Sequence, residues 1–327
     1  MIPLEGRIRK EIEQDGPIPF SRFMELALYE ATRGYYRRPR DPFGKEGDFF
    51  TNSQLQPVFG RLLGQQIKRW RQELGNPPGF TVVEMGPGRG ETLQEVRRSL
   101  PDVKCAGVDV AVGKLPSNFP GVVYANEFFD ALPAHLVEKK GGEIHEIFVD
   151  VADNGFLWKV GSPSSPQLVD YIHRYAPDLA DGQKIEVNLA ALAELDRIAR
   201  ELTHGYLLTI DYGYLAAEIA GGRRLPDGSL MSYERHQAKE GVLESPGERD
   251  ITAHVNFTAI EQHGEELGLA SLGLKTQAQF LLEIGCEDEF EYALRGGSEA
   301  ASRQLRMQLK SLLYGMGETF RVLVQRK

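Results

Sequence analysis

The feature that most constrains this chain is a junction. Phe80-Thr81-Val82-Val83-Glu84 runs straight into Met85-Gly86-Pro87-Gly88-Arg89-Gly90. A short run rich in β-branched residues with no helical spacing predicts a buried strand. Glycines at alternate positions then let the backbone bend and let another molecule approach it closely. A helix is predicted next, from about Leu93 to Leu100. Strand, glycine turn and helix open a βαβ unit, and ligands bind beyond the carboxyl ends of such strands. The spacing excludes two nucleotide readings. Dinucleotide sites want G-x-G-x-x-G, whereas Gly86, Gly88 and Gly90 are followed by Glu91. No Gly-Lys-Ser/Thr follows, as a phosphate-binding loop would require.

The pattern continues as alternating strands and helices. Strands are predicted at Val103–Val110, Val122–Ala125 and Tyr206–Asp211, with paired strands at Leu136–Val137 and Glu143–Val151. A helix is predicted near Ala190–Leu202, an amphipathic one carries Leu305, Leu309, Leu312 and Leu313, and Phe320–Val324 is an end strand. This alternation predicts an α/β fold with a doubly wound sheet. Before it, Ile8, Ile12, Phe23, Leu26 and Ala27 recur at helical spacing, with Ser21 as a candidate cap, and a helix is predicted from Pro57 to Trp70. The expected organisation is a helical or lid region at 1–75 and a main domain at 76–327. Residues 212–250, rich in Gly, Pro and charge, read as an inserted long connection, a kind of loop that usually serves function.

Charge and cysteine usage remove several function classes. The net charge is -9, with residues 1–72 at +4 and the remainder at -13. A general nucleic-acid binder needs clustered basic charge, so no nucleic-acid partner is expected. The run Arg37-Arg38-Pro39-Arg40 reads as solvated surface or as a docking patch for an acidic protein. Two distant cysteines, Cys105 and Cys286, exclude a disulfide framework, and no Cys/His/Asp group has ligand spacing, so no metal is expected. No stretch approaches the roughly 20 apolar residues of a membrane helix. With Glu5, Glu11, Glu13 and Asp15 early in the chain and no apolar leader, a cytoplasmic, bacterial protein is expected.

Three features carry chemistry. An acid two positions before the first glycine, followed by G-x-G-x-G, resembles motif I of class I methyltransferases that use S-adenosylmethionine (SAM). Asp109 ends the next strand, where a carboxylate can accept from both ribose hydroxyls of a nucleoside. Asn126-Glu127-Phe128-Phe129-Asp130-Ala131-Leu132-Pro133 follows the next predicted strand and so falls at the same sheet edge. Asn126 offers a donor and an acceptor, and Glu127 and Asp130 offer acceptors that suit a sulfonium or a cationic methyl acceptor. The plainer reading is a helix start, with Asn126 as cap and two acids in the first turn.

Taken together, these stretches resemble the MidA-like SAM-dependent methyltransferases, a family that includes the mitochondrial methyltransferase of complex I assembly. Beyond the glycine turn and the 126–133 run, the matching stretches are Gly47-Asp48-Phe49-Phe50-Thr51-Asn52-Ser53 with Phe59-Gly60, and Asp211-Tyr212-Gly213-Tyr214. Further on come Gly228-Ser229-Leu230-Met231-Ser232-Tyr233 with His236, and Pro246 through Phe257, including Asp250 and His254. They occur in family order. Two departures stand out: Asp109 is followed by Val110-Ala111-Val112-Gly113-Lys114-Leu115-Pro116 where the family has a helix, and Glu91 intervenes between Gly90 and Thr92.

The resemblance implies a Rossmann-like class I methyltransferase with SAM as cofactor. It implies a protein substrate, with respiratory-complex subunits among the candidates, and methylation of an arginine side chain. Carried onto this chain, the cofactor would be held by Gly47, Asp48, Thr51, Glu84, Gly86, Gly88, Gly90, Asp109 and Asn126. Carboxylates can hold a guanidinium through forked hydrogen bonds. Glu127, Asp130 and Asp211, with Asp250, would supply them; Tyr212 and His236 would line the acceptor pocket, and Asn126 would touch the reacting groups. The loop at Gly47–Thr51 would act as a lid or as an anchor for the N-terminal helices. His236 and His254 read first as hydrogen-bonded structural histidines, with the motif setting favouring a role for His236. Two alternatives stay open: another nitrogen acceptor, an amide or small molecule, suggested by the Asn126-x-x-Phe129 spacing, and a non-catalytic SAM-binding assembly factor.

Overall fold

The computed structural model describes residues 3–38, 56–109, 113–234, 237–239, 241–285, 288–315 and 317–327. They divide into two compact units. One comprises the described residues of Met1–Phe50, Asp130–Ala193 and Tyr214–Ile260, the other those of Thr51–Phe129, Glu194–Gly213 and Glu261–Lys327.

The second unit holds the doubly wound sheet. Its strands are β1 (Thr81–Met85), β2 (Lys104–Val108), β3 (Phe119–Asn126), β4 (Leu202–Tyr214), β5 (Ala270–Thr276) and β6 (Phe320–Arg326). They lie in the order β5-β6-β4-β3-β1-β2. β2, β1, β3 and β4 are parallel, and β6 and β5 add antiparallel pairs at the far side. From β1 the chain moves out to β2, then returns across β1 to β3. The order therefore reverses between β1 and β3, a switch point where α/β sheets bind ligands.

Side-chain alternation explains how the sheet packs. Val82, Val122, Tyr124, Tyr206, Leu208, Ile210, Phe320 and Val322 all join one buried cluster. They pack with Val58, Phe59, Leu62, Leu63, Ile67 and Trp70 of helix α1 (Gln56–Glu73) and with Leu93 and Val96 of helix α2 (Glu91–Ser99). Their odd-numbered neighbours Val83, Val123 and Leu207 are also buried, so the parallel core is covered on both faces. Trp70 stacks on Tyr206 at 4.6 Å. Gly60 has a packing reason, since a Cβ there would come 2.7 Å from the Glu95 Cβ on α2.

In the first unit, Ile18–Pro19, His135–Lys140, Glu143–Val151, Phe156–Gly161 and Lys184–Val187 form an antiparallel sheet. Leu136, Ile147 and Val149 pack with helices Leu4–Asp15 and Phe20–Tyr29. Val137, Ile185 and Val187 pack with helix Pro166–Tyr175. The stretch expected to be a long connection carries its own small sheet, made of Met231–Glu234, Gln237–Lys239 and Asp250–Thr252. Ser21 is not the helix cap that its position suggested. The helix starts at Phe20 after Pro19, with no side-chain cap, and the Ser21 hydroxyl lies 3.4 Å from His135 Nδ1.

Glu84 stands one residue before the end of β1. Its side chain is buried, which pushes its carboxyl up to about 8. The Tyr124 hydroxyl, the Leu93 backbone N–H in the first turn of α2 and Arg97 pull it only part of the way back. The folded chain thus holds this proton more tightly than the unfolded one. Stability from Glu84 is fully present below its ordinary value near 4.5 and is lost as pH rises through about 8. Glu84→Gln keeps an acceptor for Leu93 without a charge. Its urea midpoint is expected to overtake that of the natural chain as pH rises from 6 to about 9. Parallel pH profiles of the two proteins would contradict this.

Candidate active site

The site grows out of the carboxyl edge of the parallel strands. Beyond Met85, the Gly86 N–H donates to the Val108 carbonyl at 2.8 Å. Gly86, Gly88 and Gly90 take φ of 62°, 51° and 71°, the left-handed region that costs an L-residue about 1–2 kcal/mol each. The Gly90 N–H closes the turn onto Pro87 at 2.7 Å, and α2 begins at Glu91. Glu91 is therefore simply the first residue of the helix. A Cβ at Gly86 would sit 2.9 Å from the Phe128 ring, whereas at Gly90 it would meet nothing within 4 Å.

Strand register brings the candidates level. Met85 pairs with Val108 on one side and Ala125 on the other, so Gly86, Asp109 and Asn126 each stand one residue beyond that row. Asp109 is exposed, and 113–118 form no helix, in keeping with the short sequence after Asp109. Asn126 pairs with Ile210, so Glu127 stands level with Asp211. No helix follows Asn126, and the plain capping reading of this run does not apply.

Glu127 instead turns sharply, at φ 51°, with its N–H on the Ile210 carbonyl at 2.9 Å. A non-glycine residue held there costs on the order of 1 kcal/mol or more, and such strain clusters at functional sites. Its carboxylate accepts from Asn126 Nδ2 at 3.3 Å and from the Tyr212 hydroxyl at 3.4 Å. Asp211 is fully buried and accepts the backbone N–H of Phe129 at 3.0 Å and of Tyr212 at 2.9 Å. The Tyr212 ring rests against Phe320, with centroids 4.1 Å apart.

Other candidates lie in the first unit. Asp130 and Asp250 are buried, at 4% and 1% exposure. The Asp130 carbonyl accepts the Ala253 N–H at 3.0 Å, and Asp250 pairs with Tyr233 across the small sheet. The Tyr29 hydroxyl donates to the Ala131 carbonyl at 2.8 Å, and Tyr36 stacks on Tyr29 at 5.5 Å. Burial pushes the Asp130 carboxyl up to about 7, against the pull of two backbone N–H groups. Burial and then the nearby charge of Asp250 push the Tyr36 phenol up; burial, Asp130 and Asp250 do the same for Tyr233. Four separated segments thus build an enclosure of two acids and three tyrosines. The sequence named the acids, but the tyrosines carry no local signal that ties them together.

Parts of two family motifs are tied together around Glu186. Buried Glu186 accepts from the Ser229 N–H, the Ser229 hydroxyl and the Leu230 N–H, and a Cβ at Gly228 would stand 2.4 Å from its Oε1. The His254 N–H donates to the same Ser229 hydroxyl, and burial, aided by Arg224, lowers the His254 imidazole. Arg38 of the basic run pairs with Glu248 at 2.8 Å and lies over the Tyr35 ring. Gly47, Asp48, Thr51 and His236 lie outside the described residues. Among the described residues, no group of three His, Cys, Asp or Glu could hold a metal ion, and no helix is long and apolar enough to cross a membrane.

The chain matches known proteins along most of its length. A family model, Methyltransf_28, described as a S-adenosyl-L-methionine-dependent methyltransferase, matches residues 107–275. A protein of Drosophila melanogaster, "Protein arginine methyltransferase NDUFAF7 homolog, mitochondrial", is 27% identical over 353 aligned residues, 89% of this chain and 77% of its own. The Homo sapiens protein arginine methyltransferase NDUFAF7, mitochondrial, is 27% identical over 377, covering 97% of this chain and 82% of its own. A crystal structure of a COG1565 superfamily member from Burkholderia thailandensis, bound to S-adenosyl-homocysteine, is 28% identical with a TM-score of 0.87, covering 99% of this chain and 92% of that one. The expectation of a cytoplasmic protein is corrected, because these curated relatives are named as mitochondrial. The doubly wound sheet, the glycine turn at its switch point and the family match agree: the chain belongs to the MidA-like SAM-dependent methyltransferase family and is a SAM-dependent methyltransferase.

Proposed function

We propose that this methyltransferase acts on an arginine side chain of a partner protein. The single observation behind the choice of acceptor is the enclosure of Asp130 and Asp250 by Tyr29, Tyr36 and Tyr233. A guanidinium stays protonated and seeks carboxylates in a forked geometry and aromatic faces. Two enclosed acids beside tyrosine rings supply both. The names of the fly and human relatives support the same acceptor.

The residues at the glycine turn fit the cofactor. The backbone is open at Gly90, no side chain can stand between Gly86 and Phe128, and Asp109 and Asn126 are level with the turn. Gly86, Gly88, Gly90, Asp109 and Asn126 would hold SAM. When bound, SAM supplies an already activated methyl group, so alignment can contribute much of the rate. Glu127, fixed by its own turn and by Tyr212, would stabilise the guanidinium as one nitrogen attacks. Asp130 and Asp250 are acids of the kind that attract a guanidinium.

The direct test is tritiated SAM with a cell lysate, then mass spectrometry of labelled proteins. Methyl groups on arginine are expected; label confined to other residues or to small molecules would refute the acceptor. Glu127→Gln is expected to lower transfer by about 10² or more, with SAM affinity unchanged in calorimetry. Full activity in that variant would remove Glu127 from the mechanism.

A pH profile tests Asp130. Its carboxyl is neutral below about 7 and ionised above it, and only the ionised form attracts a cation strongly. Acceptor kcat/KM should therefore climb through a limb near 7. Asp130→Asn should erase that limb and cost about 2–5 kcal/mol, the usual loss for one partner of a buried charge pair. A limb that survives the substitution belongs to another group.

A further inference from the structure

We infer that Asp211 is a positioning residue of the methyltransferase site, which acts by holding the Asn126–Phe129 turn rather than by touching a substrate. The side chain is fully buried. Its Oδ2 accepts the Phe129 N–H at 3.0 Å and its Oδ1 the Tyr212 N–H at 2.9 Å. Two residues before Phe129, the Glu127 N–H donates to the Ile210 carbonyl at 2.9 Å. The turn is thus tied to successive residues of β4 at two points, once through the backbone and once through a side chain.

Between the ties stands Glu127 at φ 51°. A residue stays in that region only where its surroundings over-determine it. The ladder supplies the first tie to any sequence, whereas the second exists only because residue 211 is an acid. The same carboxylate fixes the backbone of Tyr212, whose hydroxyl reaches Glu127 Oε2 at 3.4 Å. Asp211 therefore controls both members of the Glu127–Tyr212 pair. Asparagine has nearly the same shape but one acceptor oxygen, so it would turn an NH2 group toward one of the two N–H donors. The inference rests on the role given above to Glu127 and not on the identity of the acceptor.

A double-mutant cycle tests it, with the natural chain, Asp211→Asn, Glu127→Gln and the double variant. Transfer is read as S-adenosyl-homocysteine released with the acceptor found in the lysate experiment. Protection of the Phe129 amide is read by hydrogen exchange, which needs no acceptor. Asp211→Asn should lower kcat by up to about 10² and speed exchange at Phe129. The double variant should be no slower than Glu127→Gln alone, because a residue acting through Glu127 has nothing left to position. Losses that multiply in the double variant, with Phe129 protection intact in Asp211→Asn, would overturn the proposal and give Asp211 a direct role. Should Asp211→Asn fail to fold, the natural chain still decides. A Phe129 amide that exchanges as fast as an exposed loop sinks the clamp, and a slow one supports it. Label found on a residue other than arginine would refute the acceptor reading and leave this one standing.

Discussion

The parallel pairing of β1 between β2 and β3 is the constraint on which the rest of the catalytic unit depends. It does two jobs with one register. It sets Gly86, Asp109 and Asn126 on one level at the carboxyl edge, and it turns Val82, Val122 and Tyr124 toward α1 and α2. Strand side chains alternate with a period of two, so a slip by one residue would move every one of these to the opposite face. Burial of the core therefore fixes the site geometry. Hydrophobic packing chooses the register, and the register aligns groups that have no attraction for one another.

Buried acids in this chain divide by what surrounds them. Burial pushes Glu146 up, yet His135 and Ser164 donate to it and outweigh that, so its carboxyl lies below the ordinary range. Glu186 accepts three hydrogen bonds around Ser229, and burial still wins, because the donors are neutral and no cation is among them. Glu84 and Asp130 have weaker support and rise to about 8 and about 7. Opposing a charged or chargeable partner to burial is what reverses the sign. By the same logic, a guanidinium beside Asp130 would lower its carboxyl toward the ionised range.

What could be read from the sequence follows from range. The β1 strand, the glycine turn and the strands near Val122 and Tyr206 are written in contiguous residues, and they form where the spacing predicts. The Phe156–Gly161 and Lys184–Val187 strands were missed. Phe156–Gly161 is an exposed strand with no alternation, and Lys184–Val187 is a four-residue strand after a loop. The small sheet inside 212–250 escaped for a related reason: Tyr233 meets Asp250 across 17 residues, and nothing local announces the pairing. Ser21 had the composition of a cap, but its hydroxyl lies beside His135, far along the chain. At the site, residue types were legible and conformations were not. The acid at 127 is plain in the sequence, and its left-handed turn is not.

The choice between a cationic and a neutral nitrogen acceptor turns on hydrogen-bond polarity. An amide or exocyclic amine presents donors and acceptors together, and asparagine complements that mixture because it offers both. Asn126 directs its amide nitrogen to Glu127, so part of its capacity is already engaged within the chain. The enclosure at Asp130 and Asp250 is different in kind. Its carboxylates only accept when ionised, and the Tyr36 and Tyr233 phenols stand near them. Such acids favour a group that carries only donors and a positive charge, and guanidinium meets both conditions at every physiological pH, with a fork that matches a carboxylate.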